Sequence, residues 1–296
     1  MQKFSTILTH PGGAHKDEFL ACSVLLAVSA VPIERREPGE SDLANVDICV
    51  VDVGHRHEPA LNNFDHHQLP KDHVPTCSLS LVLQHLGLYE DARRFCEWLE
   101  PTEWFDCRGP FATARWLGVE REVLNKLNSP IDIALLQRFS LARRLAPSEP
   151  LWEMMRLIGE GLLEFVRSLR ARLDFLAAHA EVWSLPLGAD REMKIIFLPR
   201  TEPMADEPSQ GLDRFAEQLG LADSIVGLVY PDRRGPGYGL SRFRDHPQLD
   251  FTRVAADPSV HFAHARGFVA KTSATDPAQL KQLLVRAAEN GAHPGA

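Results

Sequence analysis

The sequence predicts an α/β protein of two domains, an N-terminal domain on a parallel sheet (1–147), then a long linking helix and a smaller α/β C-terminal domain that together span 148–296. Three observations carry this. The run Val46-Asp47-Ile48-Cys49-Val50-Val51-Asp52-Val53 is almost continuously β-branched, the pattern of a strand buried on both faces of a parallel sheet. Strand-like and helix-like stretches alternate through the first half, as in layered α/β folds. After Pro147-Ser148-Glu149-Pro150 one long helical pattern leads into a set of short strands with a different rhythm.

Taken in order, Phe4 to Thr9 reads as a short buried strand running into His10. Pro11-Gly12-Gly13 turns the chain, and Lys16 or Asp17 opens a helix through about Ser29. Asp17 and Glu18 fall in its first turn, where acids suit the helix dipole even without any other role. Ile33 to Arg36 is a second strand and Val46 to Val53 the clearest one. Helices are expected over Leu79 to Leu86, Asp91 to Leu99, Arg121 to Leu127 and Ile131 to Ala146. From Leu151 to Ala180, Leu157, Leu162, Phe165, Leu169, Leu173 and Leu176 recur at mostly helical spacing, a packing stripe. The last third offers strands at Glu181 to Leu187, Met193 to Leu198, Ser224 to Tyr230 and Gly237 to Phe243, with helices at Gly211 to Leu219 and Pro277 to Ala288. Gly235-Pro236-Gly237-Tyr238-Gly239 reads as a hairpin connection.

A net charge of −8 argues against a broad electrostatic grip on long nucleic acid, but leaves room for a phosphate held by metals and a local basic pocket. The five cysteines, Cys22, Cys49, Cys77, Cys96 and Cys107, form no CxxC pair. Buried free thiols in a reducing compartment are expected, with Cys107 set apart by polar neighbours. No charged leader with an apolar core opens the chain, and the apolar run Phe19 to Pro32 is too short to span a bilayer. The expectation is therefore a cytoplasmic protein without a membrane partner.

The chemistry concentrates in two clusters, Thr9-His10-Pro11-Gly12-Gly13-Ala14-His15-Lys16-Asp17-Glu18 and Asn63-Phe64-Asp65-His66-His67-Gln68. His10 follows the first strand, Asp52 ends the third and Asp65-His66-His67 follow the next extended stretch. In an open parallel sheet the carboxyl ends of strands converge on one crevice, so these residues should meet. His10, His15 and His66 with Asp17, Asp52 and Asp106 form a mixed nitrogen–oxygen ligand set. Such a set suits Mn²⁺, Fe²⁺, Co²⁺ or Zn²⁺ better than Ca²⁺ or Mg²⁺. Six side chains are too many for one catalytic ion and fit two that share a carboxylate, for which Asp52 is the candidate. A pair of divalent ions facing three carboxylates attracts an anion and suits hydrolysis at phosphorus. His67, beside Asp65, is the candidate general acid or phosphate donor, and both are assigned to catalysis. In the last third Arg233, Arg234, Arg242, Arg244, Arg253, Arg266 and Lys271 could contact phosphate, or could pair with Asp232, Asp245 and Asp250.

The order HxxxxHxDE, VVDVG, DHH resembles the melanocyte-proliferating-gene-one branch of the DHH phosphoesterase superfamily. The likeness rests on His10, His15, Asp17 and Glu18, on Val51-Asp52-Val53-Gly54, and on Phe64-Asp65-His66-His67-Gln68. Phe262-Ala263-His264-Ala265-Arg266-Gly267-Phe268 is similar to the branch's C-terminal signature. Ala14 stands where the family carries an aromatic, and Cys107-Arg108-Gly109 follow Asp106 in place of an Asn-Gly pair. The resemblance implies a DHH-type catalytic domain, two divalent ions of the Mn²⁺ type, and a second domain that binds substrate. It implies His10, His15, Asp17, Asp52, His66 and Asp106 as metal ligands and His67 at the scissile phosphate. Arg242, His264 and Gly267 are implied as substrate contacts, to which Lys271 is added.

The expected activity is a 3′–5′ exonuclease acting on short single-stranded RNA or DNA oligonucleotides. Two alternatives stand beside it: a phosphatase or pyrophosphatase acting on small nucleotides or phosphoanhydrides, and a metal-dependent binding protein with little turnover. The assembly state is open, a homo-oligomer included.

Overall fold

The computed structural model describes residues 2–127, 129–188 and 191–288. The chain divides into two compact units, Met1–Ser168 and Leu169–Ala296, and each is described by itself.

The first unit contains β1 (Thr6–Thr9), α1 (Lys16–Val28), β2 (Ile33–Arg35), α2 (Glu40–Leu43), β3 (Ile48–Val51), β4 (His57–Glu58) and β5 (Asn63–Phe64). It continues with α3 (Ser78–His85), α4 (Tyr89–Phe95), α5 (Leu99–Leu117), α6 (Arg121–Lys126), α7 (Pro130–Leu141), β6 (Arg144–Leu145) and the first part of α8 (Pro150–His179). The sheet order is β4-β5-β3-β1-β2-β6. The four central strands are parallel, and the edge strands β4 and β6 run antiparallel to them. Ile7, Leu8, Cys49, Val50 and Val51 are fully buried, which explains the unbroken apolar reading of β1 and β3. Because β1, β3 and β5 point the same way, His10, Asp52 and Asp65 all leave the sheet at its carboxyl edge.

Helix α1 is buried on nearly every face, Asp17 and Glu18 in its first turn included. Those acids are therefore enclosed groups and not solvated partners of the helix dipole. Gly159 of α8 sits so close to α1 that an added Cβ would run into the Ser23 carbonyl. Nearby, the Trp152 indole N–H donates to the Val31 carbonyl at 2.9 Å. Asp52 adopts a left-handed backbone (φ 60°), a conformation costly for a residue with a Cβ, directly after β3.

Three boundaries depart from the sequence reading. The strand expected from Val46 starts at Ile48, because the Asn45 side chain accepts the Asp47 N–H at 3.0 Å and closes a turn. The helix expected over Asp91 to Leu99 is α4 followed by a break at Cys96, after which α5 begins. The helix expected to reach Ala146 stops at Leu141, and Arg144–Leu145 instead pair with Glu34 and Ile33 at the sheet edge.

The second unit holds β7 (Glu181–Pro186), β8 (Glu192–Phe197), α9 (Leu212–Gln218), β9 (Ile225–Pro231), β10 (Tyr238–Arg242), β11 (Val260–Ala263), β12 (Val269–Thr272) and α10 (Pro277–Ala288). Its sheet runs β11-β12-β10-β9-β8-β7, antiparallel except for the β8–β9 pair. Trp183, Ile195, Phe197, Val229, Leu240, Phe251, Leu280 and Leu284 are among its core residues. The segment 232–237 is the β9–β10 hairpin connection, closed by the Asp232 N–H donating to the Gly237 carbonyl at 2.9 Å. A Cβ on Gly237 would strike the Thr272 carbonyl, so this glycine serves packing on β12. No described helix is long and apolar enough to cross a membrane. Cys22, Cys49, Cys77 and Cys96 are buried and Cys107 is half-buried, and none of the five is in a disulfide.

Candidate metal centre

The six expected ligands come from five places in the first unit. His10 follows β1, His15 and Asp17 bracket the start of α1, Asp52 and His66 follow β3 and β5, and Asp106 lies on α5. Their donor atoms converge. In one group His10, His15 and Asp52 each place a ligand atom within 4.8 Å of the others, and His15, Asp17 and Asp106 do so in a second. Asp52, Asp65, His66 and His67 form a third such group, and His66, Asp106 and Cys107 a fourth.

Asp52 joins the two sides. Its Oδ2 lies 3.5 Å from His10 Nε2, while its Oδ1 lies 3.1 Å from His66 Nε2. His66 Nε2 is also 2.9 Å from Asp106 Oδ2, and His15 Nδ1 is 3.6 Å from Asp106 Oδ1. The geometry is that of a carboxylate offering one oxygen to each of two positions.

These atoms approach one another without making aligned hydrogen bonds. Asp17 Oδ1, Glu18 Oε2, Asp52 Oδ2, His66 Nε2 and Asp106 Oδ2 are all buried and lack a hydrogen-bond partner. Each such orphan costs on the order of 1–3 kcal/mol, so five together need a common explanation. Divalent cations held within the cluster would supply one, and the donor set of imidazole and carboxylate fits them.

The protonation preferences point the same way. Burial pushes the Asp17 carboxyl well up, and the neighbouring Asp52 and Asp106 carboxylates push it further. Burial would also raise Asp52, but the close imidazoles of His10 and His66 and the Ser78 hydroxyl outweigh it and hold Asp52 well below the usual carboxylate range. Burial disfavours a charged His10, yet Asp52 and Glu18 beside it carry its pKa up to about 10. His66 is likewise raised, against its burial, by Asp106 and Asp52. Without a metal, protons on the imidazoles supply the positive charge that these carboxylates demand.

Supporting contacts fix the ligands. His10 Nδ1 lies 2.9 Å from the Pro11 carbonyl, which assigns its proton there and leaves Nε2 as the ligating atom. The Ser78 hydroxyl, at the start of α3, donates to Asp52 Oδ1 at 2.6 Å, and the Ser78 N–H donates to Asp17 Oδ2 at 3.3 Å. Cys107 Sγ lies 3.8 Å from His66 Nδ1. His67, half-exposed, has its Nδ1 2.7 Å from Asp65 Oδ1, and Asp65 Oδ2 accepts the His55 N–H at 2.6 Å. The Asp65 contact raises the His67 pKa. His55 thus anchors Asp65 through its backbone.

The sequence reading named neither Ser78 nor Arg35 as a site residue. Ser78 could have been found as a hydroxyl opening the helix after a polar loop. Arg35 was legible from strand alternation, which puts it on the buried face with Ile33.

The expected substrate contacts lie in the second unit. Arg242 and Gly267 are adjacent, since a Cβ on Gly267 would come within 3.4 Å of Arg242 Nη2. Ser241, Arg242, Asp245, Arg266 and Phe268 line a cavity of about 270 Å³. His264 lies against Phe268, with ring centroids 4.1 Å apart and the rings tilted by 40°, and accepts the Arg266 N–H. Lys271 sits on β12, 2.7 Å from the buried Asp232 carboxylate, and is not part of that cavity's lining.

Residues 6–88 match the MYG1_exonuc family model, described as an uncharacterised protein family (UPF0160). Over that stretch the chain is similar to this family. The matched segment contains five of the six expected metal ligands, together with Ser78, and ends before Asp106. A solved DHH-domain structure, described as a member of a family of ribosomal proteins, is similar over 96% of this chain and 85% of its own. Its 14% identity and TM-score of 0.33 are too low to bear on the site. No curated protein matches the chain. Family and ligand clusters together suggest a metal-dependent phosphoesterase.

Proposed function

We propose that the chain is a two-metal phosphodiesterase that removes nucleotides from the 3′ end of short RNA or DNA oligonucleotides, with Mn²⁺ as the working metal. The observation that carries this reading is the knot of buried, hydrogen-bond-free donor atoms centred on Asp52. His10, His15 and Asp52 would hold one ion, and Asp17, Asp52, His66 and Asp106 the other. The chemistry such a pair supplies when bound is polarisation of phosphoryl oxygens and an increase in the acidity of water.

The chain's own groups do the rest. Asp52 spans both positions, and Ser78 fixes the angle of its carboxylate. Asp65 holds the His67 ring by Nδ1, which would leave Nε2 to donate a hydrogen bond or a proton to a phosphate oxygen. The raised His67 pKa favours the donor form. Arg242 and Arg266, which line one cavity, would contact phosphate in the second unit.

One observation favours a second reading, a hydrolase of small nucleotides or phosphoanhydrides. Arg233, Arg242, Arg244 and Lys271 are paired with Glu207, Asp245, Glu217 and Asp232 within their own unit. That leaves less positive surface for a polymer backbone. Incubating Mn²⁺-loaded protein with end-labelled 5-mers and with pyrophosphate separates the two. A ladder shortening from the 3′ end supports the exonuclease, orthophosphate release alone supports the second reading, and neither product refutes both.

A further inference from the structure

Glu18 is the one acid of the cluster that the ligand set above leaves without a task. It lies in the first turn of α1 beside Asp17, and its side chain is 0% exposed. Its two oxygens are used differently. Oε1 accepts a hydrogen bond from Arg35 Nη2 at 2.9 Å. Oε2 has no hydrogen-bond partner and lies against His10 Nε2. The Pro11 carbonyl holds a proton on Nδ1, so Nε2 is the His10 atom turned to Glu18. One cation serves both the carboxylate oxygen and Nε2 at this spot: a proton when no metal is bound, and a metal ion that displaces it otherwise. Asp52 Oδ2, the third atom at this spot, is also buried and without a hydrogen bond.

We propose that Glu18, anchored by Arg35, is a further ligand of the metal position marked by His10 and Asp52. Arg35 is built to hold such a ligand. Its guanidinium also donates to the Phe139 carbonyl at 2.7 Å, to the Gly13 carbonyl at 3.1 Å and to the Gly12 carbonyl at 3.3 Å. It lies over the Phe139 ring, 4.3 Å from the centroid. One buried cation therefore ties Glu18 to the turn that connects His10 with His15. The charge balance is kept as well, because the Glu18 carboxylate is offset by Arg35 and the site's attraction for an anion survives.

The inference rests on the metal reading above, and the test separates the two. Titrating metal-free wild-type protein and Glu18→Gln with Mn²⁺ by calorimetry counts sites and affinities without any turnover. The expected result is two sites in the wild type, with one of them weakened at least about tenfold in the variant. Two sites of unchanged affinity in Glu18→Gln would overturn the role of Glu18 alone. No binding by the wild type would overturn the metal reading beneath it. Because the substitution leaves Arg35 short of a partner, a second measurement avoids any variant. Anomalous diffraction from wild-type crystals loaded with Mn²⁺ should show a Glu18 oxygen within about 2.5 Å of the ion nearest His10. A Glu18 carboxylate turned away from that ion to bond only Arg35 would overturn the proposal.

Discussion

Replacing Ser78 with Ala isolates the support given to the bridging carboxylate. The Ser78 hydroxyl is fully buried and donates to Asp52 Oδ1 at 2.6 Å. It caps nothing, since Cys77 precedes the helix and Ser78 is its first residue. Alanine therefore costs no cap and improves helix propensity slightly. What is lost is a hydrogen bond to an ionised group, worth about 1.5–3 kcal/mol. The loss also removes one of the groups that hold the Asp52 pKa down, after His10 and His66. Carried into coordination, an orienting contact of this kind is worth about 10–100-fold in metal affinity. Calorimetric titration of Ser78→Ala with Mn²⁺ should show both sites weakened, because Asp52 belongs to both, while the folded spectrum is kept. Weakening at one site only would remove Asp52 as the bridge. Affinities within about twofold of wild type at both would refute the reasoning altogether, since the orienting contact should be worth more than that.

Four further outcomes follow from the same contacts. Gly159→Ala should lower stability by about 1–3 kcal/mol or more, read as a fall in the thermal midpoint, because backbone of α1 blocks the new methyl group. Mn²⁺ affinity should rise with pH through the neutral range, by about tenfold per unit for each proton displaced, because His10 stays protonated up to about pH 10 when no metal is bound. The raised His10 pKa also stabilises the metal-free fold; that contribution is complete below pH 6.5 and is lost as pH rises through about 10, so melting of chelator-treated protein should show the decline. Arg242→Ala should raise KM for a phosphodiester substrate and leave the metal content unchanged, whereas lost metal would refute its placement in substrate binding.

Much of the site was legible because parallel strands end at one edge. The β-branched stretch before Asp52 marked its strand plainly, and the convergence of His10, Asp52 and the Asp65–His67 run followed from that rule. The strand before Asp65 was harder, since β5 is only Asn63–Phe64 and carries no alternation. Helix α5 went unread around Asp106 because Gly109 has a non-helical backbone (φ 74°) and Pro110 follows it inside the span. Glu18 was hidden by a sufficient local explanation, an acid in a first helical turn, which only its burial contradicts. The basic residues of the last third looked alike in sequence. The structure separates them, placing Arg242 and Arg266 at one cavity and turning Lys271 toward Asp232. Long-range pairing of that kind has no signature in spacing.

The most direct test of the central claim is metal analysis of protein equilibrated with Mn²⁺ and freed of excess, run beside His66→Ala. Two ions per wild-type chain and one in the variant are expected, since His66 faces both Asp52 and Asp106 on one side of the bridge. A wild-type chain that retains no metal would contradict the account.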